Sequence, residues 1–146
     1  MRAINVGFVV ASLAAASLSA GLSSEPAPQK SPERYETVAT AESNRLAEEA
    51  AKKGEAWPQN PLLVALKFVG EDGECSCRTI VIRRPEGRDT ATVAITDEGL
   101  WDDSIRGEKY KLRLARTPSG TWKITEALKA WACRRGHADF STEPCI

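Results

Sequence analysis

The chain has 146 residues, with 20 Lys and Arg against 20 Asp and Glu, one histidine and four cysteines. So even a charge balance argues against general electrostatic attraction to nucleic acid or acidic lipid. Once its N-terminal segments are set aside, the length supports one hydrophobic core.

Met1-Arg2 gives a positive start, and Phe8 to Leu18 is an apolar, Ala- and Ser-rich run followed by small residues. This is the pattern of a secretory leader, read here over residues 1–22, with cleavage after about Ser19 to Ser24. An uncleaved anchor is the alternative, but the run is shorter than the ~20 residues that a spanning helix needs. With no cysteine near the cleavage region, a bacterial-type lipid anchor is not available. Losing Arg2 leaves 19 basic against 20 acidic residues, a net charge of −1. The mature chain is therefore expected to be free of the membrane, in the periplasm or secreted. Residues 23–32 hold three prolines and almost nothing apolar, the composition of a flexible linker. Residues 33–146 are read as a single α+β domain.

Ser31-Pro32-Glu33 has the form of a helix start, with a cap, proline at the first position and an acid near the positive dipole end. The expected helix runs over 32–53 on a thin seam of Tyr35, Val38, Ala39, Leu46 and Ala50, and Gly54 stops it. From Leu62 the period becomes alternating, which predicts strands over 62–69, 78–83, 90–96 and 109–116. In the last, Tyr110, Leu112 and Leu114 face one side while Lys109, Lys111 and Arg113 face the other, a solvated basic row. After the turn at 117–120, Trp122 and Ile124 start a fifth strand. Ile124, Ala127, Leu128, Trp131 and Ala132 also fit a helical period, but the short turn favours a returning strand with a β-bulge between Ile124 and Trp131. The expected fold is α+β: one long N-terminal helix packed on an antiparallel meander of about five strands, stapled by disulfides.

The segment from Gly107-Glu108-Lys109-Tyr110 through Trp122-Lys123-Ile124 leads to Trp131-Ala132-Cys133 and then Gly136-His137-Ala138-Asp139-Phe140-Ser141-Thr142-Glu143-Pro144-Cys145. It resembles a recurrent C-terminal pattern of uncharacterised exported bacterial proteins and covers about the last third of the chain. The resemblance implies a bacterial source and supplies no activity. The hairpin that ends in Gly120-Thr121-Trp122-Lys123-Ile124 is also similar to the sheets of nuclear-transport-factor-2-like and cystatin-like proteins.

Cys75, Cys77, Cys133 and Cys145 admit three pairings, and an even count behind a leader reads as disulfides. Joining Cys75 to Cys77 closes a ring too small for ordinary geometry. Each of that pair is therefore expected to bond one of Cys133 and Cys145. Such loops would span 56 residues for Cys77–Cys133 and 70 for Cys75–Cys145, each contributing about 4 kcal/mol by chain entropy; the crossed pairing is a close second. A metal site of Cys75, Cys77, Cys133, His137 and Cys145 is the second reading, outweighed because an oxidising compartment removes thiolates. A redox-active C-x-C pair ranks third, for want of a helix N-terminus to lower a thiol pKa.

His137 stands two residues from Asp139, which raises the possibility of a carboxylate-oriented imidazole with Ser141 or Thr142 as nucleophile. Hydrogen bonding within a glycine-bounded loop is the stronger reading. Acids crowd around Leu100 and Trp101 in Asp97 to Asp103, a candidate partner anchor or cation site; that Leu100 and Trp101 cover the sheet edge is preferred. No cofactor is called for. Function is read as a non-enzymatic exported module that binds a protein or envelope component through a sheet face or the Trp101 loop. A His137/Asp139 ligand-binding or catalytic domain and a Cys/His metal-binding protein are the alternatives.

Overall fold

A computed structural model describes residues 33–70 and 75–146; the leader at 1–22 and the linker at 23–32 lie outside them. The elements are β1 (Glu36–Thr37), α1 (Ala41–Lys52), a 3-10 turn (Trp57–Gln59), α2 (Pro61–Val69), β2 (Cys77–Arg83), β3 (Thr90–Glu98), β4 (Ile105–Arg116) and β5 (Trp122–Cys133). Every strand pairs antiparallel, in the order β1-β5-β4-β3-β2.

The expected long N-terminal helix is not formed. Among residues 33–53 only α1 is helical, and residues 33–40 run extended along β5, where Val38 N–H donates to the Ala127 carbonyl at 2.9 Å. Two causes override the helix-start signal. Tyr35, Thr37, Val38 and Thr40 favour extended backbone, and Glu33 is captured by lysines of β4 far away in sequence. α1 then packs by close contact of Ala47 and Ala50, both buried. Leu46, expected in its seam, is largely exposed.

The strand expected over 62–69 is α2. A short run that is almost wholly apolar has no period to separate strand from helix; its flanks decide. Asn60 caps the helix, its Oδ1 accepting from Leu62 N–H at 2.9 Å, Pro61 occupies the first turn, and Gly70 ends it at φ +103°. Such a backbone angle suits glycine and strains other residues. Val64 and Ala65 thereby enter the core.

Helix and strand meet on one sheet face. Val93, Ile95, Leu112, Leu114, Ile124 and Ala127 pack there against Val64 and Ala65 of α2, and Trp122 is fully buried beside them. Trp122 and Ile124 can share this face with Ala127 only because β5 is bulged. Arg113 pairs with Glu126 but Leu114 pairs with Ile124, so Thr125 is extra and the side-chain parity flips. Asn44 of α1 secures β5 beside this irregularity, its amide donating to the Ile124 carbonyl at 2.9 Å and accepting from Ile124 N–H at 2.8 Å. One side chain thus acts as a short sixth strand. A second register shift lies between Ile105 and Gly107, where a Cβ on Gly107 would come within 2.8 Å of the Asp97 carbonyl.

Candidate functional site

Among the described residues, no helix covers the other sheet face. The register places Val81 and Arg83, Thr92, Ala94 and Thr96, Lys109, Lys111 and Arg113, and Glu126 and Leu128 on it. Together they line a groove of about 510 Å³. Val81, Ala94 and Leu128 give it an apolar floor. Arg83, Lys109, Lys111 and Arg113 supply the charge. Glu126 meets Arg113 at 3.1 Å, in a pair too exposed to cost much to open.

Residues just before β1 reach two of the groove's lysines. The Glu33 carboxylate accepts from Lys109 Nζ at 2.6 Å, from Lys111 Nζ at 3.1 Å and from the Tyr35 hydroxyl at 2.5 Å. Burial alone would raise the Glu33 pKa, but hydrogen bonds from Lys109, Tyr35 and Lys111 outweigh it and hold the group down at about 2. Burial and the Glu33 carboxylate push the Tyr35 phenol up, so its proton stays in place. Lys111 Nζ lies 4.1 Å from the Tyr35 ring centre and Lys109 Nζ 5.3 Å from that of Phe140, both within cation–π range. Lysine charge here is therefore held in fixed positions on an otherwise open sheet.

The cysteines do not pair as expected. Cys133 bonds Cys145 across 12 positions of sequence, while Cys75 and Cys77 are free. Register explains the outcome. Cys77 pairs with Glu98, Glu98 with Gly107 and Gly107 with Ala132, so Cys77 lies three strand spacings, about 14 Å, from the end of β5. A disulfide spans at most roughly 7 Å between Cα atoms. Nor are Cys75 and Cys77 neighbours in function. The Cys75 thiol lies 3.7 Å from Asp97 Oδ1 on the helix-covered side, whereas Cys77 belongs to the open-face set. Burial and the Asp97 carboxylate raise the Cys75 pKa, the opposite of an activated thiol.

His137 is not oriented by the Asp139 carboxylate. Its Nδ1 meets the Asp139 backbone carbonyl at 2.8 Å, and its Nε2 meets the Glu143 carbonyl at 2.8 Å and Cys133 Sγ at 3.1 Å. The Glu143 and Asp139 carbonyls raise the imidazole pKa. Ser141 Oγ accepts from Glu143 N–H at 3.3 Å, and Thr142 follows it in the same loop. These residues are brought together as a loop scaffold around the disulfide. Of the five residues offered as metal ligands, Cys133, His137 and Cys145 present atoms within 4.8 Å of one another; Cys75 and Cys77 do not join them.

Trp101 does not cover the sheet edge. It is 83 % exposed, on a loop fixed at its base by Asp102, whose Oδ1 accepts from Ser104 N–H at 2.7 Å and Ile105 N–H at 2.6 Å. These two donors lower the Asp102 pKa. Arg134 donates to the carbonyls of Asp102 and Leu100 from the far side. Asp102 thus organises the backbone of this loop.

Sequence reasoning located the basic row but missed its partners. Glu33 and Tyr35 stand at an alternating spacing that signals a strand, although a helix-start pattern overlay it. Arg78 and Asp97 form a bidentate pair at 2.6 and 2.8 Å that closes the helix-covered side beside Cys75. Compared with protein-family models, curated proteins and solved structures, the chain finds no match in any of the three.

Proposed function

We propose that this chain is an exported, non-enzymatic binding module that seats an anionic ligand with an apolar body in the groove of its open sheet face. One observation carries the reading. An apolar floor of Val81, Ala94 and Leu128 lies beside fixed cations, and those cations already hold a carboxylate, that of Glu33, at 2.6 and 3.1 Å. A ligand's carboxylate or phosphate would meet Arg83 and Arg113 and compete with Glu33 for Lys111, while its apolar part covers Ala94 and displaces water from the floor. An envelope component bearing an acidic headgroup has this chemistry. The Cys133–Cys145 bond supports export, since such bonds persist in oxidising compartments.

Calorimetric titration of the full chain with octyl phosphate, with octanol as the uncharged control, tests the reading. Octyl phosphate should bind, octanol should bind at least tenfold more weakly, and the double variant Lys111→Ala/Arg113→Ala should lose most of the phosphate affinity. Equal binding of the two probes, or a variant that binds like the parent, would overturn it.

A further inference from the structure

Cys133, His137 and Cys145 are joined in a corner whose geometry has a second use. We propose that reduction of the Cys133–Cys145 disulfide converts this corner into a binding site for a soft closed-shell metal cation such as Zn(II) or Cu(I), held by two thiolates and the His137 imidazole. The inference is independent of the groove.

Three observations support it. The ligand atoms already lie within 4.8 Å of one another, whereas a tetrahedral zinc centre with bonds of about 2.3 Å to sulfur and about 2.0 Å to nitrogen needs ligand atoms only about 3.5–3.8 Å apart. Closing that geometry asks the sulfurs to separate by less than about 2 Å from their bonded distance. Cys133 is fixed at the end of β5, where its N–H donates to the His137 carbonyl at 3.0 Å, but Cys145 lies outside every helix and strand and can make the move. The histidine is also suitably held: the Asp139 carbonyl takes Nδ1 at 2.8 Å and leaves Nε2 directed at Cys133 Sγ, 3.1 Å away. A backbone carbonyl behind a ligating imidazole is the usual support of such a ligand.

The Glu143 carbonyl, which also faces Nε2, does not stand in the way. It accepts from Trp131 Nε1 at 3.0 Å as well, so it keeps a donor when the imidazole turns to a metal. The tail would remain tied to β5 in both states, by the disulfide in one and the metal in the other. The paired exchange of hydrogen bonds between Trp131 and Ser141, at 3.0 and 2.9 Å, holds the loop in either state.

The chemistry balances with a dithiol as reductant. One of its thiolates attacks a sulfur of the Cys133–Cys145 bond to form a mixed disulfide, and its second thiol closes its own disulfide. The protein gains two electrons and two protons as two thiols. A divalent cation then forms two metal–sulfur bonds and one metal–nitrogen bond and releases the two thiol protons; solvent fills the fourth position of zinc.

The test uses the full chain carrying Cys75→Ser and Cys77→Ser, reduced with a phosphine, freed of reductant without oxygen and titrated with Zn(II), or with Co(II) for its thiolate charge-transfer bands. One metal should bind per chain, with such bands in the cobalt form. The oxidised chain should bind none, and both His137→Ala and His137→Gln should weaken binding at least tenfold. Reduced chain that binds no more metal than Cys133→Ser/Cys145→Ser, or histidine variants that bind as tightly as their parent, would overturn the proposal. So would reduced chain that loses its fold and does not recover it when metal is added.

Discussion

Replacing Glu33 by glutamine separates stability from binding, and the two effects have opposite signs. Glu33 falls from an ordinary 4.5 to about 2 through Lys109, Tyr35 and Lys111 acting against burial. A shift of that size corresponds to about 3 kcal/mol of differential stabilisation, and solvent screening at this surface site reduces it to about 1–2 kcal/mol. Because the folded-state pKa is depressed, this stability is fully present above 4.5 and is lost as pH falls through about 2. Urea denaturation at pH 7 should therefore find Glu33→Gln less stable by about 1–2 kcal/mol, with less than about half of that gap remaining at pH 3. The same variant removes the internal anion that competes for Lys109 and Lys111, so octyl phosphate should bind it more tightly than the parent. An equal stability gap at both pH values would refute the ionic account of Glu33. Unchanged or weaker phosphate affinity would refute its role as occupant of the ligand's site.

Three further expectations rest on single contacts. Asp97→Ala removes the carboxylate that Arg78 grips at 2.6 and 2.8 Å, where the two side chains are 6 and 16 % exposed, and should cost about 3 kcal/mol in chemical denaturation, the order found when one member of a buried pair is removed. Asn44→Ala leaves the Ile124 N–H and carbonyl unpaired beside the bulge; a loss of about 2 kcal/mol is expected by the same method, and Asn44→Asp, which keeps only the acceptor, should recover part of it. Cys133→Ser/Cys145→Ser opens a short loop and should lower the melting temperature by an amount equivalent to about 3 kcal/mol. A loss below about 1 kcal/mol would show that the Trp131–Ser141 hydrogen bonds hold the tail alone.

How far the sequence could be read depended on whether the deciding contact was local. The alternation in Lys109 to Arg116 reflects a strand with one buried and one solvated side, and Leu112 and Leu114 are indeed buried there. The parity change between Ile124 and Trp131 was visible as a need for a bulge, and a bulge is present at Thr125. The alternation read over residues 62–69 was weak in a run that is apolar at all but one position, so the answer lay in Asn60-Pro61 before them and Gly70 after. Residues 33–40 were misread because the lysines that fix Glu33 lie 76 and 78 positions away. The disulfide pairing depends on strand order: that β3 and β4 separate Cys77 from Cys133 appears only when the sheet is assembled. For the candidate site, the row of Lys109, Lys111 and Arg113 was legible as one face of one strand. Its apolar floor draws on three strands, and no local window contains it.

The most direct test of the central claim is a two-dimensional amide NMR titration of the isotope-labelled full chain with octyl phosphate. Binding in the groove predicts shift changes centred on Thr92, Ala94, Thr96, Lys111 and Arg113, with Glu33 and Tyr35 responding as the carboxylate is displaced. Changes centred instead on Gly99 to Ser104 around Trp101, or no saturable change at all, would contradict it.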